Sequence, residues 1–170
     1  MTVNEAHKTV KGLIGEDDFR HASGVLCGFY DIAQKQIATT VCPVEKSFTA
    51  PCGEPVPLPD DLFCVSGADA QYTLPDKRHI LLSGSGSATV RYHAYPADIT
   101  EDADGDTGFE IDVSVQSAIP LFAAAHAVLS DSDMRRYYAF IDAYNTVLRN
   151  AESRKNGQAH ATVVRTEDMR

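Results

Sequence analysis

Six of the eight prolines stand at positions 43, 51, 55, 57, 59 and 75. Proline lacks an amide donor and fixes its own φ, so no long helix crosses this stretch. Between the prolines, apolar residues come in short runs bounded by turn residues. Leu62–Ser66 reads as one strand, Arg78–Ser83 as a second and Ala88–Tyr95 as a third, with Ser47–Thr49 as a short fourth. In the third, Val90, Tyr92 and Ala94 alternate with Arg91, His93 and Tyr95, so one face is apolar. Pro96 ends it. Gly84-Ser85-Gly86 separates the second strand from the third and predicts an antiparallel hairpin over 78–95.

Helical periodicity flanks this region on both sides. Residues 1–15 are polar and weakly patterned. Glu16-Asp17-Asp18 then supplies acids of the kind favoured at a helix start. Phe19, Ala22, Leu26, Phe29, Ala33 and Ile37 define one apolar face, with Val25 and Ile32 beside it. Gly24 and Gly28 weaken this helix and mark places where another backbone can approach. Further on, Ser114 is placed to cap a helix running to Ser130; Pro120 inside it predicts a kink or a later start. The run LFAAAHAVL is apolar nearly all round and should be the most buried helix. Met134, Tyr137, Ile141, Tyr144, Leu148 and Ala151 form the seam of a last helix. The short link Asp131-Ser132-Asp133 makes these two helices antiparallel neighbours. Gly157 ends the last helix, leaving 158–170 as an extended C-terminal arm.

The expected fold class is therefore α+β: an N-terminal helix and a C-terminal antiparallel helical hairpin form a bundle. A small antiparallel sheet is inserted between the helices, all within a single domain over 1–157. A chain of 170 residues suits one such core.

Bulk properties exclude several functions. No apolar run approaches the roughly 20 residues that span a bilayer. The segment MTVNEAHKTVKGLIGEDDF lacks a signal-peptide core, which predicts a cytoplasmic protein without membrane contact. A net charge of −9 makes broad nucleic-acid binding unfavourable. Cys27, Cys42, Cys52 and Cys64 form no Cys-x-x-Cys pair, and no His-x-x-x-His pair exists, so no zinc site is expected. The thiols should be reduced.

The run Glu101, Asp102, Asp104, Asp106, Glu110 and Asp112 raises the question of calcium. Asp102, Asp104 and Asp106 match the first ligand positions of an EF-hand loop. Thr107 and Val113 stand where glycine and the bidentate glutamate belong. A solvated loop is the favoured reading, and a small calcium- or ligand-binding module using 101–112 with Tyr92, His93 and Tyr95 the alternative. The glycines of SGSGS lack the following Gly-Lys-Ser/Thr of a phosphate loop. No Gly-x-Ser-x-Gly elbow is present. His126 reads as a satisfied core or interface histidine, Cys27 as an inert core thiol, and His93 as facing solvent or a partner. No catalytic residue, cofactor or metal is expected, and the chain does not read as an enzyme. Tyr92, Tyr95, Tyr137, Tyr138 and Tyr144 are either core residues or interface anchors, tyrosine being enriched in interfaces. Val163, Val164 and Arg165 in the tail suit an arm that docks on a neighbour.

The order of segments is similar to that of head–tail connector, or portal adaptor, proteins of tailed bacteriophages. The likeness lies in FYDIAQKQIA, in PVPLPDDLFCVSG with its Leu-Pro-x-Asp-Phe-like pattern, and in VRYHAYPADIT with its Tyr-x-x-x-Pro strand end. FEIDVSVQSAIPLFAAAHAVLSDSD and YYAFIDAYNTVLRNAE complete it, over residues 16–154. Asp112 stands where the pattern often has proline, and the glycines of 101–109 are additional. The resemblance implies a structural virion protein at the portal vertex, assembled in the host cytoplasm. It would form a ring, commonly of twelve copies, that binds the portal and extends the DNA channel. A neck, stopper or tail protein would dock on its far side. The helices would contact ring neighbours and portal, and the arm would reach along the portal. Genomic DNA would pass through an acidic lumen without specific binding.

Overall fold

The computed structural model describes residues 1–15, 23–130 and 133–167, and of the last helix beyond Lys155 only the backbone. The fold is α+β; the described residues form four helices and two small antiparallel sheets. The chain groups into two compact units: Met1–Cys42 with Asp98–Arg170, and Pro43–Ala97.

The helical unit starts with a helix that the polar texture of residues 1–15 concealed. Helix α1, Val3–Ile14, buries Val3, Ala6, Val10 and Ile14 at spacings of three and four. Thr2 and Glu5 close a capping box: the Glu5 N–H donates to Thr2 Oγ1 (3.3 Å) and the Thr2 N–H to Glu5 Oε2 (2.9 Å). At the other end the Arg136 guanidinium donates to the carbonyls of Leu13 (3.3 Å) and Ile14 (2.7 Å), a cation where the helix dipole is negative.

Helix α2 is described from Ser23 to Thr40. The expected acidic start at Glu16-Asp17-Asp18, and Phe19 and Ala22, lie outside the described residues. Leu26, Ala33 and Ile37 are buried as expected, with Cys27, Tyr30, Gln34 and Ala38. The buried face is rotated from the expected one, because Tyr30 packs edge-on against Phe109 at 5.9 Å. Val25 and Ile32 consequently stand on the opposite side, 47% and 53% exposed. At Gly24 an added Cβ would meet the Glu101 side chain at 3.1 Å, so the close approach comes from a side chain.

The next helix, α3, spans Ala118–Ser130 and starts four residues after Ser114. Ser114 instead turns back, its N–H and Oγ both donating to Asp112 Oδ1. Pro120 thus falls in the first turn, where amides have no intrahelical partner and its missing donor costs nothing. Ile119, Phe122, Ala123, Ala124, Ala125, Ala127 and Val128 are buried, as the all-round apolarity predicts.

The closing helix α4 runs Met134–Glu167. Phe122 meets Tyr144 (5.5 Å) and His126 meets Tyr137 (6.0 Å), the reversed pairing of an antiparallel hairpin. Tyr144 and Ala151 of the seam are buried, while Met134 at its start is 44% exposed. The expected stop at Gly157 and the extended arm over 158–170 are corrected: the backbone stays helical through Glu167. One glycine costs a helix only about 1 kcal/mol, which does not force a stop.

The β unit contains β1 (Val44–Pro51), β2 (Pro55–Pro57), β3 (Leu62–Ala68), β4 (Tyr72–Thr73), β5 (His79–Leu82) and β6 (Ser87–Ala94). They form two three-stranded antiparallel sheets, β1-β6-β3 and β2-β5-β4. The expected 78–95 hairpin does not form, since β5 and β6 belong to different sheets. The β1–β2 link takes hydrogen bonds a hairpin would use: the Gly53 N–H donates to Leu82 O and the Cys52 N–H to Gly86 O, both 2.9 Å. Gly84 and Gly86, at φ 119° and 83°, let the chain cross between the sheets. Ile80 and Leu82 of one sheet thereby meet Ala50 and Val90 of the other in a shared core. Pro55 and Pro57 lie on the edge strand β2, where a missing donor is tolerated.

Candidate interaction surface

The sequence-derived candidates on β6 separate by face. Val90, Tyr92 and Ala94 are buried, as the alternation predicts. Tyr92 is therefore structural: its ring packs on Phe48 (5.8 Å) and its hydroxyl donates to Asp61 Oδ1 (3.2 Å). Lys46 Nζ donates to Asp61 Oδ2 at 2.9 Å. The Lys46 ammonium holds the Asp61 carboxyl below the usual carboxylate range, while burial pushes the Tyr92 hydroxyl up.

His93 and Tyr95 fall on the outer side, where β3 adds two residues that sequence reasoning missed. Register shifts between Leu62 and Cys64 and between Val65 and Gly67 break strict alternation. Consecutive Phe63 and Cys64 are both exposed as a result. Phe63 packs edge-on against Tyr95 at 5.4 Å, each 41% exposed. Cys64 Sγ lies 3.5 Å from His93 Nδ1. Phe63, Cys64, His93 and Tyr95 thus make a contiguous aromatic and polarisable patch.

On α4, Tyr137 is half-buried against His126, and Tyr138 is 62% exposed with its ring 5.4 Å from that of Tyr137. His126 is held in the helical unit: its Nδ1 lies 2.9 Å from the Phe122 carbonyl and its ring 4.2 Å from the Phe122 ring. Cys27 is buried. Val163, Val164 and Arg165 lie on the α4 backbone, with side chains outside the described residues.

The acidic segment is pinned to the start of the chain. The Asn4 N–H donates to Gly105 O (2.9 Å), the Val3 N–H to Thr107 O (3.0 Å), and Thr2 bridges to Gly108. Asp104 closes a turn, accepting the Asp106 N–H at 3.2 Å. A Cβ on Gly105 would run into the Asn4 side-chain amide, which accounts for that glycine. Farther back, Asp31 accepts the Ile99 N–H (3.0 Å), and Lys35 bridges Asp31 (2.8 Å) and Asp98 (2.6 Å). Among the described residues no group of three or more His, Cys, Asp or Glu is arranged to hold a metal ion. No described helix is long and apolar enough to cross a membrane.

No protein-family model matches the chain, and no curated protein matches it.

Proposed function

We propose that the chain is a structural subunit of a tailed-phage connector, forming a ring on the portal that extends the DNA channel towards the neck or tail. The supporting observation is the order of parts: a helical unit interrupted between α2 and α3 by a proline-bounded β unit, then closed by a helical hairpin. This is the layout on which the resemblance over 16–154 rests. The closing helix fits a contact role. At about 1.5 Å per residue its 34 residues outrun the 13 of α3 by about 30 Å. Tyr138 on that helix, and Phe63 and Tyr95 on the β unit, supply exposed aromatic anchors of the type that dominates interfaces. The function is assembly and sealing, without chemistry or a cofactor.

Quantitative mass spectrometry of purified tailed particles tests this. A ratio near one copy per portal subunit is the expected result. Absence from particles overturns it.

A further inference from the structure

The β unit carries an open cleft of about 560 Å³ apart from the aromatic patch. Pro57, Leu58, Pro59 and Leu62 supply its apolar lining, and Lys77, Arg78 and His79 its polar lining. The Leu58 N–H donates to Arg78 O (2.8 Å), which joins the proline segment to the Lys77/Arg78 segment. Asp76 is turned onto its own loop: it accepts the Arg78 N–H at 2.6 Å and lies 2.9 Å from His79 Nδ1. Asp60 also lines the cleft. Such a site takes a carboxylate-bearing segment whose small apolar parts rest on the prolines.

The chain itself has a matching segment. The β unit holds four Lys/Arg against six Asp/Glu, and the rest of the chain eleven against eighteen. Within the latter, Glu101, Asp102, Asp104 and Asp106 are exposed on a backbone fixed by α1. Lys77 and Arg78 of a second copy are of opposite sign to these carboxylates. Ala103 and Gly105 between them are small enough to lie against prolines.

We propose that the Lys77/Arg78 cleft of one copy receives the acidic segment 101–106 of a second copy, a head-to-tail contact. Such a heterologous contact joins unlike surfaces and closes into rings or continues as a filament. In assigning a ring neighbour, the contact rests on the connector reading above.

The test is a charge exchange read by sedimentation. Wild-type chain should associate with a Kd below about 1 mM, weakening as salt is raised. Lys77→Glu/Arg78→Glu, and separately Asp102→Lys/Asp104→Lys, should each weaken self-association by about a hundredfold, because like charges then face each other. An equimolar mixture of the two variants should associate like wild type, since each reversed surface finds its opposite. Loss through misfolding would not be restored by mixing. A wild-type chain monomeric to about 1 mM overturns the contact, as do variants that associate normally or a mixture that stays apart. Loss of oligonucleotide retention in Lys77→Glu/Arg78→Glu with association unchanged overturns it in favour of nucleic-acid phosphates. A chain present in particles that fails this test loses only the cleft contact. A chain absent from particles that passes it keeps the contact and loses the ring.

Discussion

The helical and β units bury their apolar residues in different ways. In the helical unit, α3 is covered nearly all round, and its alanines at 118, 123, 124, 125 and 127 let neighbours come close. Phe29 of α2 packs against its His126, and Tyr137 and Tyr144 of α4 against its His126 and Phe122. The β unit relies on four fully buried residues, Ala50, Ile80, Leu82 and Val90, between two three-stranded sheets. A unit this small buries a smaller fraction of its surface and is the more easily lost. It is also where both the cationic cleft and the Phe63/Tyr95 patch lie. The contrast is one of core size: a helix covered nearly all round in one unit, four fully buried residues between two sheets in the other.

The strongest way to break this contrast is Leu82→Ala. Removing a fully buried leucine from so small a core should cost about 2–5 kcal/mol. Amide exchange should then speed up in β1, β5 and β6 while α2 and α3 keep their protection. Equal loss in both units would mean that they unfold together and that the contrast is wrong. A smaller effect is expected in the helical unit from Gly105→Ala. The new methyl displaces the Asn4 side chain from its rotamer, at about 0.5–1.5 kcal/mol. Chemical denaturation should show that cost, and an Asn4→Ala background should remove it.

Asp61→Asn sharpens the comparison from the β side through pH. The Asp61 carboxyl is depressed in the fold by Lys46, so its contribution is full above the ordinary carboxylate range. It is lost as pH falls through the folded value, below that range. The pair is partly exposed, so at neutral pH the variant should be less stable by only about 0.2–1 kcal/mol. Wild type and variant should converge in thermal melts as the solution is acidified, and a constant gap down to the lowest pH would refute the pairing. The smallest effect belongs to Tyr30→Phe. Tyr30 is fully buried and its hydroxyl has no hydrogen-bond partner among the described residues. Burial accordingly pushes its ionisation up. Removing an unsatisfied hydroxyl should leave the melting temperature unchanged or slightly raised. A loss above about 1 kcal/mol would point to a bridging buried water.

Much of this was legible in the chain. The α+β class, the inward set Val90, Tyr92 and Ala94, the buried LFAAAHAVL helix and the antiparallel hairpin all follow from local periodicity. Helix α1 was legible too, in Thr2-x-x-Glu5 and the spacing of Val3, Ala6, Val10 and Ile14, but its polar composition hid the pattern. Of the candidate contact residues, Tyr95 and Tyr138 are exposed and His93 is half-buried, whereas Tyr92 turns inward. Phe63 and Cys64 could not be found by counting, because irregular register breaks the period of two.

What the sequence determined by itself is what depends on near neighbours: caps, helix periods, strand alternation and proline breaks. Each is set by residues a few positions apart, whose sterics and hydrogen bonds act without knowledge of the rest of the chain. Tertiary structure alone decided that β5 and β6 part into separate sheets, since the bonds at Leu82 and Gly86 go to Cys52 and Gly53, some thirty residues away. It also decided which face of α2 is buried, through Tyr30 meeting Phe109, and brought Leu58 beside Arg78 to build the cleft. Those outcomes come from competition among distant partners for the same donors and the same apolar space, and local spacing carries no record of which partner wins.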